Sequence, residues 1–230
     1  MTAGESQPST PLTPRIVGEL LFHEGLVREA YRDSAGVWTW SVGITDASGH
    51  RVGRYRDNPQ GVARCLEVFL WLLATSYLPA VLAAFGAYSP AEHELAAALS
   101  FHWNTGAIQR AAWLRRFLGG DPAAREAMLD WRRPPEILPR RRRERALFFD
   151  GVWSGDGTVA VYEVDKPSYR PVRPRRMEIE GMIADLLVGS RSCSDSGVSL
   201  PSPPVPQAAK AGSTASSSSE LQEMQQARLQ

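Results

Sequence analysis

Cysteine is scarce in this 230-residue chain, with only Cys65 and Cys193, far apart and in segments of different character. A disulfide framework needs an even set at short spacings in an oxidising setting, so none is expected. Cys65 reads as a small buried apolar residue and Cys193 as an exposed thiol in a tail. Metal-ligand patterns are also missing. His23, His50, His93 and His102 stand without CxxC or HExxH company, so no metal site is expected. Charge of one sign is lacking too: 26 Lys and Arg face 25 Asp and Glu, for a net charge of +1. That excludes a chain built as a polycation for nucleic acid. Residues Met1–Thr13 lack the cationic start and apolar run of a secretion signal, which points to the cytoplasm. No internal repeat is visible.

What is present is ordinary globular material: 43 % hydrophobic and 22 % charged residues support a sizeable core. One uncharged run, from Val68 to Ala91, is long enough to raise the question of a membrane span. Thr75, Ser76, Tyr77 and Pro79 stand in its middle, where a bilayer wants its most apolar residues. Two buried helical segments broken near Pro79 are expected instead, with no stable span.

A first helix is predicted from Thr13-Pro14, with Thr13 as cap and Pro14 at the first helical position. Ile16, Val17, Leu20 and Leu21 form its apolar stripe, and Gly25 ends it, which places Glu24 in the last turn. Between Ala30 and Gly53, β-favouring residues alternate with turn groups at Asp33–Gly36 and Asp46–Gly49, a small antiparallel sheet of two or three strands. From Pro59 to about Phe149 the pattern is helical, with Ser89 to Glu92 spaced as a capping box. The expected fold class is therefore α+β, mostly α, with a sheet lobe and a helical lobe. The expected division is a disordered segment at 1–12, a main folded domain at 13–153, and an extended segment with a short helix at 154–189. A Ser- and Pro-rich disordered tail follows at 190–230.

Three residues form a chemical candidate. Glycoside hydrolysis needs a carboxylic acid to protonate the leaving oxygen and a second polar group to position water or stabilise the cationic transition state. Burial at the end of an apolar helix is the environment that keeps such an acid protonated, and Glu24 has that position. Asp33 lies nine residues on, at a strand turn, and Thr39 six further, on the returning strand. A hairpin folding back onto the helix end would bring all three toward one cleft.

The string HEG followed by AYRDSAGVWTWSVGIT resembles the active-site segment of the phage lysozyme family, glycoside hydrolase family 24. The family shows Glu-Gly, then Tyr-x-Asp with a Gly turn, then Thr-x-Gly-x-Gly-x-Thr. The matching residues are Glu24-Gly25, Tyr31 to Asp33, Gly36, Thr39, Gly43 and Thr45. ALSFHWNTGA, from Ala98, resembles the family's cleft-lining helix, and Trp131 with PRRRRERALFFDGVW resembles its closing segment. Within the family the chain is most similar to endolysins of alphaproteobacterial phages and gene transfer agents. The resemblance implies a lysozyme-like two-lobed fold and cleavage of the β-1,4 bond between N-acetylmuramic acid and N-acetylglucosamine for host-cell lysis, without a cofactor. Glu24 would be the general acid, while Asp33 and Thr39 would position water. A monomer reaching the wall through a holin-type membrane lesion is implied as well.

Ser41 stands where the family has Gly, and Ile44 where it has His. The first is expected to crowd a tight strand position, and the second to remove a polar brace of the sheet. Arg140 to Arg143 with Arg145 read as the solvated face of a last amphipathic helix. The tryptophans read mostly as core, with Trp103, beside Asn104, the candidate to stack on sugar. Rival readings are a lytic transglycosylase, which releases a 1,6-anhydro sugar, a silent peptidoglycan-binding module, and a membrane-active helical protein.

Overall fold

The computed structural model describes residues 11–194. Helix α1 (Pro14–Glu24) begins as its sequence dictates: the Thr13 hydroxyl accepts the Ile16 amide at 3.2 Å and Pro14 opens the first turn. Its stripe of Ile16, Val17, Leu20 and Leu21 is fully buried, each side chain contributing about 1.5–3 kcal/mol. Gly25 terminates the helix at φ +68°, donating its amide to the Leu21 carbonyl.

The chain then enters a sheet formed by β1 (Leu26–Arg32), β2 (Trp38–Ser41), β3 (Ile44–Thr45), β4 (Thr158–Val164) and β5 (Pro171–Glu178). Their spatial order is β3-β2-β1-β4-β5. β1 pairs antiparallel with β2, Tyr31 opposite Thr39, and β2 with β3, Trp40 opposite Ile44. The expected two- or three-stranded antiparallel sheet is thus corrected to a mixed sheet of five strands. β4 lies parallel to β1, Leu26 opposite Val161, because a long crossover through the helical lobe lets it return in the same direction. Such pairing joins residues far apart in sequence, so local periodicity carries no sign of it.

The helical lobe follows β3. Helix α2 (Val62–Leu72) runs through a π-helical turn, Leu73–Tyr77, into α3 (Leu78–Phe85). The break expected near Pro79 is absent: Val62–Phe85 is one helix, long and apolar enough to cross a membrane by length and composition. The widened turn before Pro79 makes room for a ring that would otherwise clash with the preceding carbonyls. Leu66, Phe69, Leu73, Leu78, Val81 and Phe85 are all buried in the core. Between Leu73 and Leu78 the inward step is five residues, which is the register change of the π turn.

Helix α4 (Glu92–Thr105) crosses the lobe's centre, with Leu95 to Phe101 buried. Its cap lies later than the Ser89–Glu92 spacing suggests: the Glu94 carboxylate accepts the Ala91 amide at 2.7 Å. Two short helices, α5 (Ala112–Leu118) and α6 (Ala124–Ala127), lead to α7 (Leu138–Asp150), which packs on α4. Helix α8 (Glu180–Ser194) follows β5 and packs on α1, adding Ile183 and Leu187 to the main core. The expected disordered 1–12 and 190–230 segments lie largely outside the described residues, which begin at 11 and end at 194. The expected exposed thiol of Cys193 lies outside the described side chains.

Candidate active site

Glu24 is 1 % exposed at the last turn of α1. Its neighbour Gly25 has a backbone geometry, φ +68° and ψ −178°, that only glycine adopts readily. A Cβ there would sit 2.9 Å from Cε2 of Tyr162, so β4 packs directly against the point where the chain leaves Glu24. On the other side lies the turn between β2 and β3. A Cβ built on Gly43 would stand 3.9 Å from Glu24 Oε2 and 3.9 Å from Trp103 Nε1. Sheet turn, carboxyl and indole therefore share one small space.

Glu24 Oε1 faces a guanidinium. Arg140 Nη1 donates to it at 2.5 Å, while Arg140 Nε donates to Glu144 Oε1 at 2.9 Å. Arg140 Nη2 donates to the Ser100 carbonyl at 3.1 Å, and the Ser100 hydroxyl donates to Glu144 at 2.6 Å. Arg141 donates to Glu144 Oε2, to the Trp131 carbonyl at 3.1 Å and to Asn104 Oδ1 at 2.8 Å. Arg140, Arg141 and Glu144 are at most 1 % exposed. The expected solvated face is thus corrected for two of its arginines; Arg142 and Arg143 are exposed, but Arg140 and Arg141 form a buried network. The physical reason is pairing where α7 meets α4: Glu144, placed three and four residues on, bonds both arginines, and Glu24 supplies a second counter-charge to Arg140.

Burial opposes charge throughout this network, yet Arg141 and Arg140 together hold the Glu144 carboxyl below its ordinary range. Burial likewise opposes the Arg140 cation, and the charges of Glu24 and Glu144 raise it above its usual value nonetheless. Behind α1, the buried Glu19 meets His23 Nε2 at 3.2 Å and accepts the Ser154 amide at 2.9 Å.

Asp33 and Thr39 come together on one backbone unit. Asp33 Oδ1 accepts the Val37 amide at 2.8 Å, and the Thr39 hydroxyl donates to the Val37 carbonyl at 3.3 Å. Both are buried, Asp33 at 4 % and Thr39 at 0 % exposure. Asp33 thus closes the β1–β2 turn through its side chain, and Thr39 stands on β2 opposite Tyr31.

Trp103 is half-buried on α4 and donates its indole N–H to the Val42 carbonyl at 3.2 Å. It combines core contact with Phe69, ring centroids 4.8 Å apart, and a position at the Gly43 turn. Asn104 is 6 % exposed; its carbonyl oxygen takes the Arg141 bond, and its Nδ2 is buried without a partner among the described residues.

Two residues escaped the sequence reading. Arg140 was legible through the Arg-Arg-x-x-Glu spacing, which fits paired charges on one helix face. Tyr77 had no local signal. It reaches the site because the π turn rotates it inward beside Trp103, ring centroids 4.4 Å apart.

The two departures from the family pattern find their own solutions. Ser41 adopts a left-handed φ of +56°, and its hydroxyl donates to the Cys65 carbonyl at 3.1 Å. Ile44 is 2 % exposed and packs in the main core.

Among solved structures, the fold is similar to an endolysin from Escherichia coli O157:H7 phage FAHEc1, at 23 % identity and a TM-score of 0.52. That match covers 66 % of this chain and 99 % of the endolysin. A mutant of the phage P22 lysozyme also matches, at 27 % identity and a TM-score of 0.47, over 59 % of this chain and 95 % of that one. So does the muramidase domain of SpmX from Asticaccaulis excentricus, at 22 % identity and 0.44, over 58 % and 94 %. No match is found among curated proteins. The Phage lysozyme family model matches residues 22–145, more than half of the chain and a stretch that runs from the Glu24 turn through Arg140 and Glu144. The chain therefore belongs to the phage lysozyme family, glycoside hydrolases that cleave peptidoglycan.

Proposed function

We propose that Glu24 is the general acid of an endo-acting muramidase that cuts between N-acetylmuramic acid and N-acetylglucosamine. The observation that carries this reading is a buried carboxyl with Oε1 on Arg140 and Oε2 toward the Gly43 turn and Trp103. The Arg140 bond orients the carboxyl beside Gly43 and Trp103, the placement that a proton donor to a glycosidic oxygen needs. Asp33 and Thr39, anchored together on Val37, position the attacking water. Trp103 offers an apolar ring to a sugar face, and the buried Asn104 Nδ2 is a donor for a substrate oxygen. No cofactor is required by this chemistry.

The Val62–Phe85 helix serves as the core element of the helical lobe, supported by the burial of Leu66, Phe69, Leu73 and Val81. The biological reading follows the sequence: a monomer of the alphaproteobacterial endolysin type, held in the cytoplasm until a holin-type lesion admits it to the wall.

The test is muropeptide analysis of sacculi digested by the purified protein beside Glu24→Gln. A general acid contributes about 10²–10⁴-fold, so the variant is expected to lose that much activity. Reducing-end muramic acid in the digest supports hydrolysis, whereas a 1,6-anhydro product would make the enzyme a lytic transglycosylase. Near-full activity of Glu24→Gln would remove Glu24 from the role.

A further inference from the structure

Tyr77 stands at the end of the Leu73–Tyr77 π turn, the irregularity within an otherwise continuous helix. Turns of this kind recur at functional sites, since the extra residue re-aims one side chain without ending the helix. Its ring tilts 38° against Trp103 at 4.4 Å and meets the His102 ring at 5.4 Å. Trp103 in turn shares the Gly43 turn with Glu24 Oε2. Burial, and after it the charge of Glu24, push the Tyr77 phenol above its ordinary range, so it remains a hydrogen-bond donor through neutral pH. That hydroxyl is hydrogen-bonded to no other described residue and is not among the enclosed polar atoms, so it is open to solvent. A phenol donor that reaches solvent beside Glu24 can exchange water for an oxygen of a ligand.

We propose that Tyr77 is a substrate-contacting residue, its hydroxyl donating to an oxygen of the amino sugar next to the scissile bond while its ring supports Trp103. The candidate acceptors are the hydroxyl and acetamido oxygens of N-acetylated sugars, and the proposal rests on the muramidase reading of the site. Specificity follows from the same contact: a sugar lacking the acceptor leaves the phenol unpaired in a half-buried place, which costs affinity.

The experiment compares wild type with Tyr77→Phe, which removes only the hydroxyl, on a soluble oligosaccharide of alternating N-acetylglucosamine and N-acetylmuramic acid. KM is expected to rise about three- to ten-fold, the worth of one neutral hydrogen bond, with kcat within about twofold and an unchanged melting temperature. Calorimetric binding of the same oligosaccharide to Glu24→Gln and to the Glu24→Gln, Tyr77→Phe double variant should show the same fold-loss. An unchanged KM and unchanged binding would overturn the proposal. So would a fall in kcat accompanied by a lowered melting temperature, which marks a purely structural ring. If Glu24→Gln keeps full turnover, the general-acid reading fails separately, and the binding comparison still decides the role of Tyr77.

Discussion

Arg140 joins two carboxylates that lie 120 residues apart in the chain, with Nη1 2.5 Å from Glu24 and Nε 2.9 Å from Glu144. One guanidinium thereby fixes the end of the first helix against α7 of the helical lobe. The bridge is fully buried, so its geometry is set by the protein and not by water.

Arg140→Met should expose what that bridge holds. It leaves Glu24 and Glu144 in the interior with less counter-charge, and breaking a buried pair costs about 3–5 kcal/mol. Urea titration should show a loss of that size, together with loss of lytic activity because the Glu24 carboxyl is no longer oriented. Arg140→Lys keeps the charge but not the fork, and should recover only part of either. A stability change below about 1 kcal/mol for the Met variant would contradict the bridging role.

The two glycines beside Glu24 should respond differently to alanine. Gly25→Ala meets both a forbidden backbone region and Tyr162 at 2.9 Å, so a loss of more than about 2 kcal/mol is expected, with impaired activity. At Gly43 the backbone is left-handed, φ +81°, but the nearest atoms stand 3.9 Å away. There the cost should be about 1 kcal/mol, from conformation alone. Equal losses at the two positions in denaturant unfolding would refute the assigned contact with β4.

His102 makes a signed prediction about pH. Burial pushes its imidazole down to about 4, while in the unfolded chain it titrates near ~6.5. Between these values the unfolded state binds more protons, so the contribution to stability is complete above about pH 6.5 and is lost as pH falls toward 4. His102→Gln should lose less stability than wild type across that window. Parallel curves of unfolding free energy against pH would show that His102 is not the group concerned.

Much of the catalytic half was readable locally. Thr13, Pro14 and Gly25 delimit α1 by chemistry that acts within one turn, so the position of Glu24 at its end followed from spacing. Asp33 and Thr39 were equally accessible, because hairpin turns are short-range structures. The arginine run shows the opposite case. The spacing to Glu144 marks Arg140 as able to pair along the helix and Arg142 as not, but only the packing of α7 on α4 buries that pair and brings Glu24 to it. The Ser41 substitution is similar: its left-handed backbone is stabilised by the Cys65 carbonyl, 24 residues away.

From the residues alone came the helix ends and the first hairpin, which depend on capping, turn chemistry and periodicity, all local. Glu24, Asp33 and Thr39 stood out as a trio through the resemblance of their segment to the family's motifs. Tertiary structure alone decided that β4 joins the sheet in parallel, that Arg140 orients Glu24, and that a π turn delivers Tyr77 to Trp103. Each of those depends on segments meeting across a long stretch of chain, where burial and charge pairing are determined by the partner and not by the neighbouring sequence.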